Sequence, residues 1–448
     1  MTFVRLPQVK RLVSIVLVTA VVTLMTGESG NATTPPTTGP HGAFFERVSY
    51  FGLFGARRWM VFLTIGLLVY GFTFLYERYM PPVRRKVRTV TALPMRLVQK
   101  RTSRFAMYAV AIVILLAIPH IVTQTYWMYL IVEQVGVWIL LAEGLNVVVG
   151  FAGLLDLGYV AFYAIGAYTT AWMTGVLPAP PFLHHVIPTL WVIPIAVLAA
   201  MAVGVMLGIP TLRLRGDYLA IVTLGFALIV DDYVGNQNGI TGGGEGSLQV
   251  PHFAIDLGFW HYHWGIGPVP YYYLCLIFVA LFMVIFTLLE HSRVGRSWVA
   301  IREDEVAAES IGINPLKYKV MAFAIGAASG GFAGVLSAGL IGNINPTMFQ
   351  YQASINILIL VIFGGMGSIW GVALGAVFVQ LITSYMDNYQ PWGFQINDLY
   401  MYIGALLIVM MIFRPAGLMP SRRRKREIQS FEETGEGHLD DVLTVDDS

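Results

Sequence analysis

Long apolar runs dominate this chain, and many reach the roughly 17–25 residues that a helix needs to cross a bilayer. Hydrophobic residues make up 56% of the 448 positions, and charged residues only 12%. In a soluble domain about a quarter of the residues are charged, so the composition of this chain excludes a soluble globular protein. The sequence therefore predicts an all-α polytopic membrane protein.

The core is expected to contain about ten transmembrane or half-transmembrane helices within residues 105–420. The apolar segments cover approximately residues 105–123, 126–149, 151–176, 187–209, 218–235, 269–289, 318–340, 353–366, 370–385 and 400–417. Three of them, 218–235, 353–366 and 370–385, are candidates for half-helices or re-entrant pieces. Glycine-rich breaks are tolerated in a bilayer where the backbone lines a cavity or is covered by protein.

Residues 1–104 form a predicted N-terminal extension with one or two spans, near 12–26 and 59–77, followed by a basic linker. The first run could be a cleaved signal peptide or a retained anchor. We favour retention, because no clear small-x-small cleavage site follows. Residues 421–448 are a charged tail, expected to be disordered and cytoplasmic.

The distribution of basic residues supports this arrangement of segments. If the segments alternate in direction, the loop with Arg213 and Arg215, the polar residues 290–317 and the basic tail all fall on one side. The loops 177–186 and 236–268, poor in lysine and arginine, fall on the other. Enrichment in lysine and arginine marks the cytoplasmic side. The protein is therefore expected to be multi-pass, with the basic segments in the cytoplasm and the loops 177–186 and 236–268 on the opposite side.

The polar island, residues 291–315, interrupts two long apolar spans with three arginines and four acidic residues. Its pattern predicts a short helix from Val299 to Ile311, with Val299, Val306 and Ile311 as docking contacts. Gly312 is placed to end this helix, because glycine readily adopts the left-handed conformation after a helix. The alternative is a solvated connector between two membrane helices.

Glycines recur at every fourth position in the segment 318–340, at Gly326, Gly330 and Gly334, followed by Ala338. This spacing lets two helix backbones approach closely in a membrane. Ordinary packing within the subunit is the favoured interpretation.

Three breaks are candidates for the translocation path: LNVVVGFAGLLDLGYVAFYAIG (145–166), RLRGDYLAIVTLG (213–225) and FGGMGSIWG (363–371). A buried ionisable group in a membrane is costly and usually faces protein or a water-filled path. Simple solvation or helix packing would explain some of these polar residues equally well. The path candidates are Glu143, Asn146, Gly150, Asp156 and Gly364.

Several chemistries find no support in the sequence. There is no G-x-x-x-x-G-K-[ST] run that would cradle ATP phosphates, and no nucleophile with a recognisable partner. A single cysteine, Cys275, excludes cysteine metal clusters, and no metal or catalytic residue is expected. The net charge of +2 gives no reason to expect nucleic acid as a partner.

A family resemblance is carried by the three break sequences at 145–166, 213–225 and 363–371, together with KVMAFAIGAASGGFAGVLSAG (319–339). The order of Glu305, Ala307, Ala308 and Gly312 in the polar island adds to it. The chain resembles the LivM-type permease of branched-chain amino acid ABC importers over about residues 105–420. The resemblance implies that Arg302, Glu305, Ala307, Ala308 and Gly312 belong to a loop that docks on a cytoplasmic ATPase.

The resemblance also implies partners and a location. They are a homologous LivH-type permease, two cytoplasmic ATPases that use ATP, a periplasmic binding protein and the lipid of a bacterial inner membrane. This chain would bind no cofactor and would not itself be an enzyme. A permease for urea or another small amide is the nearest alternative. An ion-coupled carrier with Glu133, Glu143 and Asp156 as a relay is a more distant one.

Overall fold

The computed structural model describes residues 115–120, 125–177, 187–211, 217–256, 261–264 and 267–389, with a few positions between 403 and 419. The chain divides into two compact units, residues 1–115 and 116–448, and nearly all described residues belong to the second. The predicted N-terminal extension, 1–104, and the tail, 421–448, lie outside the described residues.

The first described span, α1, covers Tyr126–Phe151 and changes its helical type along its length. Ile131–Gly136 and Asn146–Phe151 are π-helical, while Val137–Leu145 between them is α-helical. Such π-helical insertions are uncommon and concentrate at functional sites.

The remaining helices follow in chain order. They are α2 (Val160–Met173), α3 (Thr189–Thr211), α4 (Asp217–Asn236), α5 (Asn238–Thr241), α6 (Pro268–His291), α7 (Arg293–Glu303), α8 (Glu305–Ser310), α9 (Pro315–Ile341), α10 (Tyr351–Gly364) and α11 (Ile369–Tyr389). Among the described residues, five are long and apolar enough to cross a membrane: α1, α3, α4, α6 and α9. The protein is thus an all-α polytopic membrane protein, as its sequence predicts.

The expected segment 151–176 is wrong at its beginning, because helix α2 starts only at Val160. Gly153 has φ +72°, in the left-handed region, which interrupts the helix. Three residues later, the Asp156 carboxylate accepts a hydrogen bond from the Gly158 amide at 2.8 Å. Aspartate side chains compete in this way with helical hydrogen bonds, so the chain forms a turn here and α2 begins after it.

Helix α9 lies at the centre of the bundle and packs against α1, α2 and α3. A Cβ atom on Gly326 would lie 2.6 Å from Val148 of α1, and one on Gly331 would lie 2.5 Å from Cβ of Ala200 in α3. Gly334 touches the backbone of α2 at Tyr163. The interpretation of the glycine pattern as packing within the subunit is therefore confirmed.

Two small antiparallel sheets lie in the connections outside the long helices. Strand β1 (Ser247–Leu248) pairs with β4 (Asn343–Ile344), and β2 (Ala254–Asp256) pairs with β3 (His261–His263). Strand β4 follows the end of α9, whereas α8 precedes its beginning. A 27-residue helix is about 40 Å long, so the β1–β4 sheet and the α7–α8 pair lie at opposite ends of α9.

Candidate functional site

The polar island folds into two short helices, α7 and α8, rather than the single helix predicted from Val299 to Ile311. The chain leaves the helical conformation at Asp304, which has φ −154° and ψ 108°. Its carboxylate accepts hydrogen bonds from the amides of Val306 and Ala307, both at 2.9 Å. The prediction was wrong because an N-cap aspartate starts a new helix where the pattern of apolar residues continued.

Helix α7 is packed firmly against the bundle. Trp298 is fully buried, and its indole Nε1 donates a hydrogen bond to the Tyr318 carbonyl in the first turn of α9, at 2.7 Å. Ile301, on the same helix, is also buried. The alternative of a simple solvated connector does not explain this anchoring, because a solvated loop would have no reason to bury a tryptophan.

Helix α8 presents apolar side chains to the exterior. Val306 is 74% exposed and Ile311, just after the helix, is 75% exposed, whereas Ala308 is buried. Of the three expected docking contacts, these two lie on the outer surface, while Val299 is half-buried. Ala307 is also exposed. The loop therefore offers a small apolar surface outside the candidate membrane spans.

Gly312 ends this region in the left-handed conformation, with φ +86°, as predicted. Its amide donates to the Glu309 carbonyl at 2.9 Å, and the Ile313 amide donates to the Ala308 carbonyl at 3.1 Å. These bonds satisfy carbonyls that the end of α8 would otherwise leave open. No atom lies within 4 Å of a Cβ built on Gly312, so conformation alone requires glycine here.

Glu305, another residue of the predicted docking loop, makes an ion pair inside the subunit. Its Oε1 lies 2.7 Å from Nζ of Lys319, which belongs to α9 and is only 9% exposed. The pair joins the beginning of α8 to the central membrane helix. Sequence reasoning missed Lys319. The available signal was a lysine within the otherwise apolar segment 318–340.

Three of the predicted path residues, Glu143, Asn146 and Gly150, lie along the last part of α1 and are fully buried. The Asn146 side-chain oxygen accepts from the Gly367 amide in the loop between α10 and α11, at 2.8 Å. The Gly150 carbonyl accepts from Nη1 of Arg302, in α7. The end of α1 thus contacts both the α10–α11 loop and the polar island.

The buried Glu143 carboxylate and the Asn146 side-chain amide lie beside each other in this part of the bundle, and neither the carboxylate oxygens nor the amide nitrogen make a hydrogen bond of good geometry. Buried polar groups are normally satisfied, and exceptions often mark sites that rearrange or that take up water or a ligand. This part of α1 is therefore a candidate for movement during function.

The other two path residues occupy different surroundings. Gly364 ends α10, and a Cβ there would lie 2.5 Å from Cα of Val372 in α11, so this glycine permits close packing of the two helices. Asp156 is fully buried in the turn before α2. The neighbouring Leu157 amide donates to the Thr223 hydroxyl of α4 at 3.1 Å. The structure brings Glu143, Asn146 and Gly150 together but holds Asp156 in a separate set of contacts.

A bundle of apolar spans with interrupted helices, carrying a well-anchored polar loop at one end, is the architecture of a multi-pass membrane protein. Over residues 128–413 the chain matches the family described as "Branched-chain amino acid transport system / permease component". It belongs to this family. No solved structure matches the chain.

Similar proteins agree with this family. The chain is 39% identical to the high-affinity branched-chain amino acid transport system permease protein LivM of Salmonella typhimurium, over 67% of this chain and 72% of that protein. It is 38% identical to LivM of Escherichia coli K12 over the same shares. It is also 25% identical to LivH of Salmonella typhimurium, over 62% of this chain and 90% of that protein.

Proposed function

We propose that this chain is a membrane-spanning subunit of an ATP-driven importer that moves leucine, isoleucine or valine into the cytoplasm. The observation that carries the proposal is the α7–α8 loop. It places exposed apolar side chains on the polar island that also carries Arg293, Arg296 and Arg302, and it is tied to α9 by Trp298 and Glu305. A surface of this kind can pass the movement of a docked partner to the membrane helices.

The proposed assembly contains a second, LivH-type permease, two ATPase subunits docked on the α7–α8 loops, and a periplasmic binding protein. ATP is bound and hydrolysed by the partner subunits, because this sequence lacks a phosphate-binding G-x-x-x-x-G-K-[ST] run. The chain itself needs no cofactor and carries no ATPase site. Lipid of a bacterial inner membrane surrounds the bundle, with the polar island facing the cytoplasm.

The proposed mechanism is alternating access. ATP closes the two ATPases, the docked loops move with them, and the two permeases rock around a shared path. The loop can shift this equilibrium only through contacts that differ between the two states. Glu143, Asn146 and Gly150 are buried in the present arrangement, so we expect the end of α1 to change its contacts when the path opens.

An ion-coupled carrier is less consistent with the geometry. Its relay would use Glu133, Glu143 and Asp156, but Glu133 and Glu143 are ten residues apart on α1, or about 15 Å along the helix. Asp156 is engaged by the Gly158 amide in its own turn. At this distance a proton cannot pass directly from the Glu133 carboxylate to the Glu143 carboxylate.

Affinity purification from the native membrane in mild detergent, followed by mass spectrometry, tests this function. We expect two nucleotide-binding subunits and a second permease to remain bound. Uptake of leucine, isoleucine, valine and urea into vesicles would then be compared in the presence of ATP and the binding protein. A preparation without any ATPase, whose uptake needs only an ion gradient, would contradict the proposal. Transport of urea in place of leucine would reassign the substrate.

A further inference from the structure

Arg302 lies near the end of α7 and is exposed overall, but its guanidinium group contacts the end of α1. Its Nη1 donates a hydrogen bond to the Gly150 carbonyl in the terminal π-helical segment of α1. Its aliphatic stem lies against Gly153, where a Cβ would be 2.7 Å from Cγ of Arg302. Gly153 has φ +72°, so the backbone changes direction after α1 at the residue that contacts the Arg302 side chain.

The loop between α10 and α11 reaches the same point. Gly367 has φ +79°, and a Cβ built there would lie 3.2 Å from the Gly150 carbonyl oxygen and 3.5 Å from Nη1 of Arg302. The Gly367 amide donates to the side chain of Asn146, one turn before Gly150. The end of α1, the α10–α11 loop and the island helix α7 therefore meet at Arg302.

The chemistry of this junction explains why an arginine is suited to it. The last carbonyls of a helix lack partners within the helix and carry a partial negative charge. A guanidinium group satisfies such a carbonyl, and its several donors lie in one plane and allow more than one contact. Arg302 therefore stabilises the end of α1 in its present position.

We propose that Arg302 is a positioning residue that transmits movement of the α7–α8 loop to the end of α1 and the α10–α11 loop. This inference rests on the proposed function, because it assigns to Arg302 the step between ATPase docking and opening of the path. The docking surface at Val306 and Ile311 is a separate part of the same loop, so the two roles can be tested independently.

The test uses the complete transport complex with Arg302→Met. The matched control is Arg296→Met, on the same helix, because Arg296 is exposed and, among the described residues, donates to the nearby His291 carbonyl rather than to α1. We expect Arg302→Met to lower uptake about tenfold at nearly unchanged ATP hydrolysis and ATPase recovery, since coupling between sites is commonly of this size. Arg296→Met should leave uptake, ATP hydrolysis and ATPase recovery close to wild type. Arg302→Lys, which retains one charged donor, should recover part of the uptake.

Amide hydrogen exchange on the same complexes tests whether Arg302 stabilises the end of α1 and the α10–α11 loop. Arg302→Met should accelerate exchange at residues 146–154 and 365–368, whereas Arg296→Met should not. Unchanged exchange or unchanged uptake would overturn the proposal. So would loss of the ATPase from the Arg302→Met complex, which would make Arg302 a docking residue. If wild-type protein retains no ATPase at all, the proposed function fails first, and the coupling role of Arg302 fails with it.

Discussion

Lys319 Nζ lies 2.7 Å from Glu305 Oε1, so a lysine in a central membrane helix neutralises the first residue of the exposed helix α8. The lysine is buried and the carboxylate is half-exposed. Losing one partner of such a pair costs more than the pair itself contributes, because the buried charge is then left without compensation. The contact therefore fixes α8 to α9 and gives the polar island a definite position.

Reversal of the charge at Glu305 should uncouple the loop from the bundle. Glu305→Lys places two cations where the ion pair was, and we expect it to abolish uptake while membrane insertion remains normal. Uptake assays and membrane-fraction immunoblots measure the two properties. The double variant Glu305→Lys with Lys319→Glu restores opposite charges and should recover part of the uptake. Normal uptake in the single variant would show that this contact has no role in coupling.

Replacement of Gly312 should act through the backbone rather than through side-chain crowding, and proline would also remove the amide that donates to the Glu309 carbonyl. An alanine at φ +86° costs about 1–2 kcal/mol, whereas asparagine tolerates this region better. Proline fixes φ near −65°, so Gly312→Pro should abolish uptake. Because nothing crowds this position, Gly312→Asn should remain close to wild type. Equal uptake by the proline and asparagine variants would contradict the assigned role of the left-handed conformation.

The sequence predicts local features of this molecule better than its long-range contacts. The membrane spans and the turn at Gly312 follow from composition and from glycine chemistry within a few residues, whereas the expected segment 151–176 began before the turn at Gly153 and Asp156. The break at Asp304 was missed, although an aspartate at a helix start is a local signal. Arg302 meets Gly150, 152 positions away, through tertiary packing that includes the anchoring of α7 on α9 by Trp298. No pattern in the sequence encodes that meeting.

The exposed apolar surface of α8 should be required for ATPase binding but not for stability. Val306→Asp and Ile311→Asp alter side chains that are about three-quarters exposed, so each should change the free energy of unfolding by less than about 0.5 kcal/mol. Both should sharply reduce ATPase recovery after affinity purification. Ser310→Ala, on the same exposed helix, is the control and should retain the ATPase. Full ATPase recovery with both aspartates would place docking elsewhere.

The close approach of α2 and α9 at Gly334 should tolerate no side chain. A Cβ there would lie 2.6 Å from the Ala167 amide nitrogen, and backbone atoms cannot move aside as a flexible side chain can. We expect Gly334→Ala to destabilise the subunit by about 1–3 kcal/mol, the usual cost of overpacking a core. Gly225→Ala in α4 adds the same methyl group where no atom lies within 4 Å, so it should be neutral or slightly stabilising. Thermal unfolding in detergent compares the two variants. Equal midpoints would mean that α2 and α9 can separate at this crossing without loss of stability, contrary to the packing that the glycine spacing predicts.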